Sequence, residues 1–313
     1  MKTAVVLVNL GGPESQQEIR PFLFNLFNDS DLIKLPFGNK AQSFIARMIS
    51  RIRASKIAGL YSQIGGGSPM RYNTLKQARA LEAVLQEKGE FRVFAAQRYW
   101  HPFISEIVEQ LQRGQYEHII LLPLFPQYSN TTTLSIINEW VRNDQKLPDP
   151  HIVQRFNRHP KYIQACNERI LEKIDDFSDR PHILFCAHSI LKNQVKEGDP
   201  YSDEILETVD LIMKDFHGYG HSLCYQSKMG IIKRLKPDIA EEIDELYDRG
   251  IRNILVFPVS FVSENLATLY NLDINIRNKA ENMGFIQYER AETVGDHPLF
   301  IECLQELVIE LCE

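Results

Sequence analysis

The chain has 313 residues, of which 44% are hydrophobic and 24% charged. This composition is typical of a globular protein with a sizeable core, and the length allows roughly two domains. The formal net charge of −6 argues against a nucleic-acid-binding protein. No apolar run approaches the roughly 18 residues of a membrane-spanning helix, and the N-terminal segment does not resemble a signal peptide. We therefore expect a soluble, cytoplasmic protein.

Apolar strand-like segments alternate with helical patterns along the chain, which is typical of an α/β fold with mostly parallel sheets. Three strand-and-turn segments in the first half are AVVLVNLGGP, FRVFAAQRYW and HIILLPLFPQYS. They match in order three segments of the second half, HILFCAHS, SLCYQSKMG and NILVFPVSFVSE. We interpret this pattern as an internal duplication. It predicts two Rossmann-like lobes, residues 1–150 and 151–313, joined near 148–160.

Polar and small residues follow the predicted strands at their carboxyl ends. Open parallel sheets bind ligands at that edge. We therefore expect one cleft between the lobes, lined by residues Asn9 to Pro13, Gln97 to Tyr99, Gln127 to Ser129, His188, Gln226 to Lys228 and Ser263 to Asn265. The aromatic residues beside these turns would most often be core residues.

Two glycine-rich turns lie in the first half, GGP at 11–13 and GGGSP at 65–69. Neither matches the phosphate-binding motifs of nucleotide-binding proteins. Glycine also serves tight turns and places where two backbones cross. We therefore interpret both segments as turns or crossings, and nucleotide binding is not expected.

Residues 32–81 contain nine lysines and arginines and no acidic residue. Within them, a helical period places Phe44, Ile45, Met48, Ile49 and Ile52 on one side and arginines on the other. This pattern is typical of an amphipathic surface helix. The missing acids also fit a basic, apolar lip that contacts an anionic membrane surface or a carboxylate-bearing ligand. We predict peripheral membrane contact through residues 37–61, on the inner membrane face.

His188 ends the apolar segment ILFCAH, which reads as a strand buried on both faces. A histidine in such a strand is either a core residue with satisfied hydrogen bonds or, at the carboxyl end, a functional imidazole. A serine hydrolase is disfavoured because the chain contains no G-x-S-x-G motif.

Residues 261–276, FVSENLATLYNLDINI, follow an apolar strand and carry an unusual stripe. Glu264, Ala267, Asn271 and Asn275 recur every three or four residues, so we predict that they share one helical face. One carboxylate, one methyl group and two amides make an unusual surface. The question is whether this face lines an active site.

With these segments assembled, the chain resembles the ferrochelatases. The resemblance is carried, almost end to end, by VNLGGPES, LFNDSDLIKLP, YSQIGGGSPM, QRYWHP, LPLFPQYSNTTT, FCAHS, EGDPY, YQSKMG and FVSENLATLYNLDI. It implies the class II chelatase fold, in which each of two Rossmann-like lobes has a four-stranded parallel sheet. It also implies a lyase of heme biosynthesis that inserts ferrous iron into protoporphyrin IX or coproporphyrin III.

The resemblance assigns roles to single residues. His188 is expected to take pyrrole protons or bind the metal, and Tyr128 to meet the incoming ion from the opposite wall. Porphyrin contacts are expected from Leu10, Arg53, Tyr61, Ser68, Arg98, Tyr99 and Arg234.

This sequence departs from the family on one wall of the expected site. The family has an acid, a histidine and three glutamates along the helix, whereas here only Glu264 remains an acid. The other positions hold Asn265, Ala267, Asn271 and Asn275. Arg234 stands in place of a tryptophan, and Leu191 displaces a proline. Glu264 is expected to cover part of the lost acidic path.

Two hypotheses follow. The first is a working ferrochelatase with His188 as base; the second is a catalytically impaired paralogue that binds porphyrin or heme. A sirohydrochlorin chelatase is disfavoured, because that ligand carries more carboxylates and would require more cationic contacts. The five cysteines are scattered along the chain and form no C-x-x-C pair. The sequence ends at Leu311-Cys312-Glu313, without the C-terminal extension that carries cysteines in the cluster-containing ferrochelatases. We therefore expect iron as a substrate only, with no [2Fe–2S] cluster or other resident cofactor.

Overall fold

A computed structural model describes residues 2–32, 38–143, 146–226 and 233–312, without the side chain of Asn39. Phe37 and Lys228, which the sequence analysis placed in the basic segment and at a strand end, lie outside these residues. The chain forms two compact units. The first contains residues 1–124, 129–154 and 304–313, and the second contains 125–128 and 155–303.

The first unit is built on a parallel sheet with the strand order β2-β1-β3-β4. Its strands are β1 (Thr3–Asn9), β2 (Phe91–Gln97), β3 (His118–Pro123) and β4 (His151–Ile152). Its helices are α1 (Ile19–Asn28), α2 (Gly38–Ser62), α3 (Met70–Gln86), α4 (Ile104–Gly114) and α5 (Ser135–Asn143). A 3₁₀ turn (Gln16–Glu18) precedes α1, and a first π-helix (Asn130–Leu134) precedes α5.

The second unit has a parallel sheet of the same kind, with the order β6-β5-β7-β8. Its strands are β5 (His182–His188), β6 (His221–Gln226), β7 (Asn253–Phe257) and β8 (Gln287–Arg290). Its helices are α6 (Pro160–Ile174), α7 (Lys192–Lys196), α8 (Tyr201–Met213), α9 (Ile239–Asp248) and α10 (Arg277–Met283). A second π-helix (Ala267–Ile276) precedes α10. The last helix, α11 (Pro298–Glu310), begins in the second unit, and its residues from Leu304 onward belong to the first. Two four-stranded parallel sheets with flanking helices confirm the predicted α/β fold.

The central strands are buried because helices cover both faces of a parallel sheet. Every residue of β1 is buried, and so is every residue of β5 except His188. The helices bury one side only: α4 buries Ile104, Ile107, Val108 and Leu111, at the spacing of a single helical face.

The two glycine-rich turns pack against each other in the first unit. The Ser68 N–H donates to the Pro13 carbonyl over 2.7 Å. A Cβ atom at Gly67 would collide with the Glu14 carbonyl, and one at Gly12 would lie 2.5 Å from Ser68 Oγ. Glycine is therefore required for the close approach of two backbones, as one of the two sequence interpretations stated.

One face of the second sheet packs against α9, the second π-helix and α10. Because side chains alternate along a strand, Leu184, Cys186 and His188 share a face of β5. Leu272 and Ile276 of the π-helix pack in one cluster with Leu184 and Cys186. His188 lies at the open end of this covered face. A run of i→i+5 hydrogen bonds this long is rare, and such helices occur often at functional sites.

Arg290, the last residue of β8, holds the second π-helix in place. Its guanidinium donates to both carboxylate oxygens of Asp273, over 2.5 and 2.7 Å, and to Glu264 over 3.0 Å. The Arg290 side chain is only 7% exposed. Its hydrogen bonds and its attraction to the two carboxylates outweigh the effect of burial and raise the pKa of Arg290. One buried cation therefore joins β8 to the start and the middle of this segment.

We expect Arg290→Met to lower the free energy of unfolding by about 3 kcal/mol, because it leaves two partly buried carboxylates without their cation. Urea unfolding followed by circular dichroism measures this change. Lys279→Ala is the control, since its ion pair with Asp244 is more exposed and should contribute below about 1 kcal/mol. Equal losses in the two variants would contradict the special role of Arg290.

Candidate active site

His188 is held by its backbone at the carboxyl end of β5. Its N–H donates to Ser260 Oγ over 2.9 Å, and the Tyr201 hydroxyl donates to its carbonyl over 3.0 Å. The ring lies edge-on to Phe261, with 6.3 Å between centroids. The residue is exposed, although the six before it are buried. An exposed imidazole on a fixed backbone is suited to accept a proton near neutral pH.

A chain of three amides ends beside His188. Asn275 Nδ2 donates to Asn271 Oδ1 over 3.0 Å, and Asn271 Nδ2 donates to Gln226 Oε1 over 2.9 Å. Gln226 is the last residue of β6 and the register partner of His188. The amides of the unusual stripe are therefore linked to the strand that adjoins the histidine.

The two remaining positions without an acid have a different structural role. Asn265 is buried, and its Oδ1 accepts the Ala267 N–H over 2.7 Å. Its Nδ2 donates to the Ser263 carbonyl over 3.0 Å. Asn265 therefore caps the start of the second π-helix, where amide side chains commonly satisfy free N–H groups. Ala267 supplies the capped N–H.

Glu264 uses both carboxylate oxygens within the protein. Oε1 accepts from Arg290 over 3.0 Å and from the Thr293 N–H over 2.9 Å. Oε2 accepts from the Thr268 hydroxyl over 2.5 Å. Glu264 thus shares Arg290 with Asp273. Asn271, in contrast, hydrogen bonds to Asn275 and to Gln226. The prediction of one common face is right for the two asparagines and wrong for Glu264, because the segment winds as a π-helix that begins only at Ala267.

Tyr128 lies in the second unit and is positioned by Glu204. Its N–H donates to Glu204 Oε2 over 2.7 Å, and Arg155, ion-paired with the other oxygen, lies 5.3 Å from the centre of its ring. Burial raises the pKa of Tyr128, and the nearby Asp199 carboxylate adds to the effect. Burial also raises the pKa of Glu204, outweighing the Tyr128 N–H and Arg155. The phenol therefore stays protonated near neutral pH.

Arg234 is tied to the turn that follows His188. Its guanidinium donates to the Ser189 carbonyl over 2.8 Å, and its backbone bridges to Leu191. Partial burial lowers the pKa of Arg234. The arginine that stands in place of the family's tryptophan thus lies near the histidine in this unit.

The predicted porphyrin contacts in the first unit separate into two groups. Leu10 is partly exposed at the end of β1, whereas Tyr61 and Ser68 are buried beneath the glycine crossing and hydrogen bond to each other. Burial raises the pKa of Tyr61. Arg53 is exposed on α2, with its guanidinium 5.4 Å from the centre of the Phe27 ring.

Arg98 and Tyr99 belong to an internal polar network. Arg98 pairs with Asp29 over 2.9 Å and donates to Ser135 over 2.9 Å. The Tyr99 hydroxyl donates to the same Asp29 carboxylate over 2.6 Å. These groups border a polar cavity of about 380 Å³ that Glu139 and Arg142 also line. Both side chains are thus engaged with protein groups, and porphyrin binding by them stays a prediction.

Helix α2 exposes an apolar stripe, as the sequence pattern indicated. Phe44, Met48 and Ile52 are 68%, 49% and 71% exposed, four residues apart along the helix. Ile45 and Ile49 are only partly exposed, so the outward stripe is narrower than the predicted apolar side. Exposed arginines lie between its members, at Arg47 and Arg51. No helix of the described residues is long and apolar enough to cross a membrane.

Sequence reasoning missed Glu204 and Arg290. Both pair with residues far away in the chain, and no local pattern marks them. Gln226 could be placed at a strand end but not in the amide chain, because its partner is 45 residues away. Within the described ranges, no group of three or more His, Cys, Asp or Glu side chains could hold a metal ion. Metal contact by His188, with Tyr128 meeting the incoming ion, stays a prediction.

Known proteins resemble this chain at the level of sequence. The family model for ferrochelatase matches residues 2–311. A ferrochelatase of Aquifex aeolicus is 41% identical over 312 residues, which cover 98% of this chain and 99% of the relative. One of Geotalea uraniireducens is 42% identical over 98% of this chain and 97% of its own length.

Solved structures resemble the chain at the level of fold. SirB from Bacillus subtilis with Fe³⁺ has a TM-score of 0.60 at 15% identity, covering 99% of this chain and 96% of that one. CbiX, described as the terminal enzyme for biosynthesis of siroheme in denitrifying bacteria, has a TM-score of 0.56 at 11% identity, with 99% of each chain covered. These likenesses agree with the class II chelatase fold, and with the sequence matches they show that the chain belongs to the ferrochelatase family.

Proposed function

We propose that this protein inserts ferrous iron into a porphyrin, protoporphyrin IX or coproporphyrin III, in heme biosynthesis. The observation that carries the proposal is His188, exposed on a fixed backbone at the carboxyl end of β5, in a chain that belongs to the ferrochelatase family. Insertion of Fe²⁺ releases the two protons of the pyrrole N–H groups. A neutral imidazole in this position can accept the first.

The surroundings of His188 narrow the routes by which protons leave. The amides of Asn271 and Asn275 do not take up protons near neutral pH. Both carboxylate oxygens of Glu264 already accept hydrogen bonds. Oε1 accepts from Arg290 and from the Thr293 N–H, and Oε2 accepts from the Thr268 hydroxyl. His188 itself is exposed. We therefore propose that protons pass from the imidazole directly to solvent.

The second candidate function is binding of porphyrin or heme without metal insertion. The observation that favours it is Ala267, which supplies no acid or base where the family has a glutamate. General acid–base groups typically contribute 10²–10⁴ in rate. Tetrapyrrole binding does not depend on that contribution, so the two functions are separable by experiment.

We also propose that α2 touches a membrane surface. Its exposed stripe of Phe44, Met48 and Ile52 is flanked by Arg47 and Arg51, which suits an interface with anionic headgroups. The same cations, with Arg53, suit the propionates of a porphyrin. Iron serves as a substrate in this proposal, and the absence of a [2Fe–2S] cluster stays a prediction that the absorption spectrum of the purified protein tests.

We expect anaerobic mixtures of protein, Fe²⁺ and porphyrin to form metalloporphyrin well above a protein-free control. His188→Ala should lower kcat by about 10²–10⁴, because it removes the proton acceptor, while porphyrin fluorescence is still quenched on binding. His217→Ala, which alters an exposed histidine outside the strands, should match the wild type. Quenching without turnover in the wild type would favour the binding protein.

We expect Ala267→Glu to change kcat by less than about tenfold, because His188 already discharges its proton to solvent. The measurement is the same anaerobic assay at saturating porphyrin. A rise on the order of 10² or more, the usual contribution of a general acid or base, would instead mean that the native chain is an impaired enzyme.

We expect the double variant Phe44→Ser, Ile52→Ser to bind anionic phospholipid vesicles at least tenfold more weakly, since each buried apolar side chain contributes roughly 1.5–3 kcal/mol. Cosedimentation with vesicles measures the binding. Ile286→Ser is the matched control, because Ile286 is 77% exposed in the second unit. Equal binding by the double variant and the wild type would contradict membrane contact through α2.

A further inference from the structure

Gln226 carries a buried amide nitrogen that no protein group satisfies. The side chain is 8% exposed, and its Oε1 accepts from Asn271. Its Nε2 is buried and has no hydrogen-bond partner among the residues that the structure describes. Most buried polar atoms have a partner, because an unsatisfied donor costs about 1–3 kcal/mol. Such an exception requires an explanation, and a bound ligand that accepts the N–H is one.

The amide chain determines which atom of Gln226 is left over. Asn275, at the exposed end, donates to Asn271, and Asn271 donates to Gln226. Each bond uses the nitrogen of the outer amide and the oxygen of the inner one. The innermost amide therefore has its oxygen engaged and its N–H groups available. In this arrangement Asn271 holds the Gln226 side chain by its oxygen, and Gln226 presents its N–H groups as donors.

The position of this donor is defined by the sheet. Gln226 and His188 are register partners on adjacent parallel strands. Partners on neighbouring strands are about 4.8 Å apart and direct their side chains to the same face. On this face Cys186 and Cys224 pack in a cluster with residues of α9, the second π-helix and α10. The free N–H and the imidazole therefore lie side by side at the open end.

We propose that Gln226 contacts the substrate: its Nε2–H donates to a lone-pair acceptor of a tetrapyrrole bound against His188. The inference rests on the proposed function and deepens it. A free-base porphyrin offers such acceptors at its two pyrrolenine nitrogens and at its propionate carboxylates. An amide N–H has no lone pair for a cation, so Gln226 addresses the macrocycle and not the iron. Asn271 acts through Gln226 and is a positioning residue.

The test compares variants that remove single parts of this arrangement. Gln226→Glu keeps an oxygen for Asn271 but has no N–H to donate. Gln226→Met is close in size and removes the whole amide. Asn271→Leu removes the group that orients Gln226, and Asn275→Ala removes only the outermost amide. Circular dichroism and urea unfolding show that each variant is folded.

Porphyrin affinity is measured by fluorescence quenching without iron, so that the readout does not depend on turnover. We expect Gln226→Met and Asn271→Leu to weaken binding about three- to tenfold, the usual contribution of one neutral hydrogen bond. Gln226→Glu should weaken porphyrin binding further, since it places a negative charge against the lone pair of the acceptor. Asn275→Ala, at the outer end of the chain, should lose less than Asn271→Leu, and His217→Ala, at an exposed histidine outside the strands, should match the wild type.

Three ligands identify the acceptor. If Gln226 donates to a pyrrolenine nitrogen, the loss caused by Gln226→Met disappears with the zinc porphyrin, in which those lone pairs bind the metal. If it donates to a propionate, the loss disappears with octaethylporphyrin, which has ethyl groups and no carboxylates. Equal binding by the wild type and all Gln226 variants would overturn this inference alone. A wild type that quenches none of the porphyrins would overturn the proposed function together with it.

Discussion

The ion pair between Arg290 and the carboxylates of Glu264 and Asp273 determines the surroundings of His188. It anchors the second π-helix, which packs with α9 and α10 against the sheet face that ends at the histidine. Holding Asp273 also places its neighbours, since Asn271 and Asn275 lie two residues to either side. The acids of this segment are thus used to build the site, and the side chains of Gln226, Asn271 and Asn275 beside the histidine are uncharged amides.

The two sheets share one topology but differ in chemistry at equivalent places. Asn9 ends β1 beside Gln97 of β2, as His188 ends β5 beside Gln226 of β6. Both glutamines are buried with unsatisfied amide atoms among the described residues. Asn9, however, donates to Thr74 and accepts the Leu10 N–H within its own unit. Two sheets of the same topology therefore carry an imidazole at one strand end and a structural amide at the other.

Sequence patterns were informative where a residue's role is local. The continuous apolar runs of β1 and β5 predict buried parallel strands, and the glycine turns predict a close backbone approach. The π winding of residues 267–276 could not be predicted, because Leu272 and Ile276, four apart, suit an α-helix equally well. Hydrogen bonds and ion pairs between residues far apart in the sequence could not be predicted either. Arg98 and Tyr99, for example, meet Asp29 some 70 residues away, and no local period encodes that network.

The amide chain has a consequence for how a cation approaches the site. Clefts lined with charges of one sign attract oppositely charged ions over long distances, and the resulting association rates fall steeply as salt is added. Amides have dipoles but no net charge, so their attraction is short-ranged and hardly affected by screening. Along this wall, the arrival of ferrous iron would depend on the concentration of the free ion and would be nearly insensitive to ionic strength.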